Sequence, residues 1–178
     1  MKPIVLIFTL ICSNLFAQND STILKINFLY GSKPAKHHKK TESKYFGGLH
    51  GGHVTIEIDS VDYGFGPNAK VHIFAHRKKL HFAFGNFNTN GIPPYSKEEK
   101  YPIIYIPVSN EQAFKAKQIF ENYLQKTPYD YAFFGMRCAA AANDVLGQIN
   151  VVKKKNKFRY IYGTFYPKKL RKRLLKLA

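Results

Sequence analysis

Apolar and polar positions alternate along the first part of the chain and then shift to a helical period near residue 109. Ile23 to Gly31 (ILKINFLYG) alternates as a half-buried strand does, and so does HVTIEID from His53 to Asp59. Further strands are predicted at KVHIFAH (Lys70–His76), LHFAFGNF (Leu80–Phe87) and YPIIYIPV (Tyr101–Val108). Between them, Ser32 to Gly48 is polar, basic and aperiodic, Tyr63-Gly64-Phe65-Gly66-Pro67 reads as a turn, and FNTNGIPP reads as a loop. Short strands at this spacing suggest an antiparallel meander. From Ser109 the pattern changes. Ser109 and Gln112 form a capping box, and Ala113, Ala116, Ile119, Phe120, Tyr123 and Leu124 share one helical face, so a helix is expected over 110–125. Thr127-Pro128 ends it. Tyr129 to Arg137 is a connector, and a second helix is expected from Cys138 to Gly147. A late strand (Lys157–Phe165) and a basic terminal helix (Lys168–Leu177, after Pro167) complete the chain. The fold class is α+β, an antiparallel sheet packed against helices, in one domain without internal repeats.

The N-terminus changes the setting. Lys2 precedes a run of apolar residues from Pro3 to Cys12, too short to span a bilayer, and Leu15-Phe16-Ala17 follows a polar break. Residues 1–17 therefore read as a secretory signal peptide cut after Ala17, with 18–178 as the mature domain. Ile11 is too bulky for lipoprotein processing at Cys12. The expected location is periplasmic or extracellular. Export removes Cys12 and leaves Cys138 as the one thiol, so no intramolecular disulfide can form. A lone thiol is either a reactive group or a buried, inert side chain beside alanines. The charge is strongly basic, 28 Lys and Arg against 11 Asp and Glu. Such a field draws anionic wall polymers or lipid head groups. Nucleic acid is set aside, because no reader motif occurs and the chain is expected to be exported.

Candidate chemistry follows from Cys138 at a predicted helix start. Free N–H groups and the helix dipole there favour a thiolate and can hold an oxyanion, and Arg137 adds positive charge. A cysteine hydrolase also needs a histidine to move the proton. His53 is available at a strand start behind Gly51-Gly52. His72 is a candidate to orient it, because Glu57 shares a strand face with His53 but lies too far along. His76 and His81 are weaker alternatives. A zinc site from His50, His53 and Cys138 lacks a fourth ligand, and His37-His38 has no partner at ligand spacing, so neither metal nor other cofactor is expected.

GGHVTIEI, followed by a strand, a helix and then TPYDYAFFGMRCAAAANDVL, resembles the circularly permuted papain-like hydrolases, relatives of NlpC-type cell-wall peptidases that include the lecithin:retinol acyltransferase-like branch. The likeness runs from about Gly47 to Gln148. It implies a permuted papain-like core, with His53, Tyr129-Asp130 and Cys138 in family order, and thiol catalysis on an amide or ester. Arg137 and Ala139 depart from the residues many relatives carry beside the cysteine. Arg137 and Tyr129 are candidates for substrate binding. Arg137 alternatively fills a structural ion pair, and Tyr129-Asp130 a turn and cap. The first expected substrate is an amide in wall peptide, the second a lipid ester or acyl donor. The rival is a non-catalytic binding protein of the same fold, holding an anionic polymer or membrane on its basic face. In the terminal helix, Leu170, Leu174 and Leu177 form one stripe, which either docks on the domain or lies on an anionic membrane.

Overall fold

The computed structural model describes residues 21–30, 52–67, 72–75, 85–89, 103–154 and 166–177. The predicted leader, the basic loop, His37, His38, His50, His76, His81 and the late strand lie outside these residues. Among the described residues five strands form one antiparallel sheet: β1 (Ser21–Tyr30), β2 (Gly52–Ile58), β3 (Val61–Pro67), β5 (Gly85–Asn88) and β6 (Ile103–Ser109). Their order is β5-β3-β2-β1-β6. A separate parallel pair joins β4 (His72–Phe74) to β7 (Ala132–Phe134). Among the described residues three helices accompany them, α1 (Asn110–Gln125), α2 (Cys138–Gln148) and α3 (Pro167–Leu174). The α+β class with an antiparallel sheet against helices is therefore observed.

Two expectations are corrected. The sheet is not a simple meander, because β6 returns to pair with β1 and β4 leaves the sheet for β7. The glycine-rich 63–67 segment is a strand, not a turn. The turn is one step earlier, where Asp59 and Ser60 both take positive φ (48° and 65°) and close a two-residue hairpin between β2 and β3.

Strand alternation divides the sheet into two faces. Leu24, Ile26 and Phe28 of β1, Val54, Ile56 and Ile58 of β2, and Phe65 of β3 are fully buried in the core. Ala113, Ala116 and Phe120 of α1 join that core, and Phe120 stacks on Tyr63 with ring centroids 4.3 Å apart. The Ser109 side chain accepts from Gln112 N–H, and the Gln112 side chain accepts from Ser109 N–H, so the capping box forms as the sequence requires. Helix α2 is apolar on every side at its start, with Ala139 to Ala142 all buried. A helix apolar all round belongs inside the domain. The middle of the opposite face is polar. Asn27 and Thr55 are fully buried there, and Asn27 donates to Thr55 Oγ1 (3.3 Å) and Asp62 Oδ1 (3.2 Å). Lys25 and Glu57 pair beside them at 2.6 Å.

Helix α3 docks through Pro167, Leu170 and Leu174. Arg173 ties it down, donating to Asn143 Oδ1 (2.9 Å) and the Lys153 carbonyl (3.1 Å). Leu177 does not continue the stripe. The helix ends at Leu174, and the last turn tightens through i to i+3 bonds from Lys176 to Arg173 and from Leu177 to Leu174. That tightening rotates Leu177 off the docked face. Leu175 and Leu177 stand 54% and 59% exposed.

Candidate active site around Cys138

Cys138 opens α2, and its sulfur lies against the edge of β2. The reason is visible in the hydrogen-bond pattern. β2 and β3 pair from Ile58↔Val61 back to Thr55↔Gly64 and then part. The groups next in line on that edge are Val54 N–H and the Gly52 carbonyl. Cys138 Sγ lies 3.8 Å from the Gly52 carbonyl oxygen, which accepts the thiol proton. Val54 N–H, with the N–H groups of Ala139 and Cys138 itself, is directed at the sulfur. Gly52 holds φ at 126°, a conformation that L side chains avoid, so the glycine before His53 is required by the backbone.

The thiol thus touches the main chain on both sides of His53. Its own environment is dry, with the residue only 4% exposed. Burial pushes the thiol pKa up, against the three N–H groups and the nearby Arg137, which favour the thiolate. The sequence suggests an activated thiolate at the helix start; here desolvation outweighs the helix terminus, so the resting group is a thiol. His53 is half-buried, and burial lowers its pKa from 6.5 to about 4. At neutral pH the two groups are an uncharged thiol and an uncharged imidazole. Only the neutral imidazole can accept a proton.

Arg137 is the N-cap of α2 and offers no side-chain cap bond. Its guanidinium instead stacks over the Phe133 ring, 4.8 Å from the centroid, and hydrogen-bonds Tyr131. Burial raises the Tyr131 pKa, and proximity to Cys138 adds to the effect. Tyr131 therefore belongs to the site, although no sequence pattern singled it out beyond its place in the TPYDY segment. Gly135 makes the turn between these residues possible, since a Cβ there would meet Ala132 Cβ at 2.8 Å. An aromatic wall adjoins. Phe74 and Phe134 stack at 5.5 Å, and Ile73, Phe74, Phe133 and Phe134 are exposed, Phe74 by 69%.

Other candidates are placed differently. Tyr129 is buried, its hydroxyl donating to Asp144. Gln148 joins the same group through Asp144 (3.0 Å) and Tyr123 (2.7 Å). Tyr129 is thus an internal strut between the connector and α2, not a substrate contact on an open surface. Asp130 is buried as well. The expectation that His72 occupies the strand beside His53 is corrected: β3 takes that place, and His72 lies on β4, opposite Ala132 of β7. Among the described residues, no group of three or more His, Cys, Asp or Glu is positioned to hold a metal ion. No helix among them is long and apolar enough to cross a membrane. Comparison with protein-family models, curated proteins and solved structures finds no match.

Proposed function

We propose that this chain is an exported thiol hydrolase or acyltransferase with a permuted papain-like core, using Cys138 as nucleophile and His53 as base. The supporting observation is the lodging of the Cys138 sulfur against Gly52 and Val54, the two neighbours of His53. In the first step His53 takes the thiol proton as sulfur attacks the carbonyl carbon. The backbone N–H of Cys138, at the start of α2, steadies the oxyanion. The imidazolium then returns its proton to the departing amine or alcohol, leaving a thioester that water or an acceptor alcohol cleaves. The first substrate class is an amide of wall peptide. A lipid ester is the second, favoured by the exposed aromatic wall next to Arg137.

A second reading is a binding protein that keeps the fold without turnover. The burial of Cys138 favours it, because a thiol at 4% exposure must be uncovered before it can attack a substrate. Intact mass after incubation with a p-nitrophenyl ester separates the two. The thiol-hydrolase reading expects one acyl group on wild type, none on Cys138→Ala, and at least tenfold slower acylation in His53→Ala. Equal acylation of wild type and Cys138→Ala, or none in either, overturns the thiol-hydrolase reading.

A further inference from the structure

We infer that the end of α3 is a docking surface for an anionic lipid membrane. After Asp144 the chain holds eight Lys, three Arg and no Asp or Glu. Of these, Lys153, Lys154, Lys168, Lys169, Lys172 and Lys176 are exposed. A shallow groove runs along this end of the domain, lined by Asn150 to Lys154, Arg173 and Leu177. Arg173 bonds to the Lys153 carbonyl across it, so the lysine-bearing turn and the helix end are held as one unit.

Charge alone would suit any polyanion. The leucines decide between them. The apolar stripe that packs α3 onto the domain is complete at Leu170 and Leu174, both fully buried. Leu175 and Leu177 are left over, exposed beside Lys172 and Lys176. A soluble polyanion offers such side chains nothing, whereas the acyl boundary of a bilayer accepts them while the lysines stay among the head groups. The described part of α3 has eight residues, about 12 Å at 1.5 Å each, so this is a surface contact and not a span.

The test is sedimentation of the mature chain, residues 18–178, with phosphatidylcholine vesicles, with and without phosphatidylglycerol, at low and high salt. Wild type is expected to bind only the anionic vesicles and to be released by salt. Lys172→Gln with Lys176→Gln lowers partitioning about fivefold per charge removed. Leu175→Ser with Leu177→Ser lowers it about tenfold or more, without weakening binding to soluble polyphosphate. These four side chains are exposed, and unchanged thermal melting confirms that the variants fold. A second charge pair, Lys153→Gln with Lys154→Gln, repeats the test from the other lip of the groove. Binding to neutral vesicles equal to that to anionic ones overturns the proposal. So does a leucine variant that binds vesicles as wild type does, which identifies the surface as a polyanion site.

Discussion

His53 is expected to remain uncharged down to about pH 4, and this has a measurable consequence for stability. Its ordinary pKa is 6.5, so charging it inside the fold costs about 3 kcal/mol more than in the unfolded chain, at about 1.4 kcal/mol per pH unit. The residue as a whole is only half-buried, which makes that figure a ceiling. Between pH 6.5 and 4 the unfolded chain binds a proton at this site and the folded chain does not. Stability from this group is therefore complete above pH 6.5, falls as the pH drops towards 4, and falls no further below. Asp62 acts in the opposite sense. Burial raises its pKa, so its contribution is present at low pH and is lost as the pH rises through the folded value. Comparing wild type with His53→Gln removes this background. Urea midpoints measured from pH 4 to 7.5 should show wild type losing up to about 3 kcal/mol relative to the variant on acidification. Parallel curves for the two proteins, or an imidazole resonance of His53 titrating near pH 6.5, would refute the buried neutral histidine and with it the resting state proposed for the pair.

Two structural predictions accompany it. Leu170→Ala removes a fully buried side chain that seats α3, and should cost about 2–5 kcal/mol by chemical denaturation; a change well under 1 kcal/mol would mean that α3 is not docked. Tyr129→Phe deletes the hydroxyl that donates to Asp144, and should cost about 1–3 kcal/mol while esterase turnover, once corrected for folded protein, stays unchanged; a selective loss of substrate affinity would return Tyr129 to the binding site.

Local features were the most legible part of the sequence. The capping box at Ser109 and Gln112, the apolar face behind it and the Thr127-Pro128 stop define α1 to the residue, because all of this information lies within a few turns of chain. The start of α2 at Cys138 was legible for the same reason. β3 was not, since Gly64 and Gly66 look like turn residues in isolation. In the sheet Gly64 sits between Thr55 and Asn88, where backbone pairing proceeds without a side chain. The position of β6 beside β1 and the pairing of β4 with β7 depend on contacts between distant segments, which no local period records. The site divides in the same way. Cys138 and His53 stand out by residue type and by their place at the start of an element. Tyr131 enters only through its bond to Arg137, and the raised thiol pKa only through burial produced by the whole fold.

The sulfur of Cys138 occupies the place where β3 would have continued along β2. It therefore works as a latch on the sheet as well as a candidate nucleophile. Placing an acyl or alkyl group on it would remove the proton given to Gly52 and crowd the N–H of Val54, so that β2 would lose its last partner on that edge. Any modification of the thiol is therefore expected to loosen the Gly52 end of β2 as well as to block the sulfur.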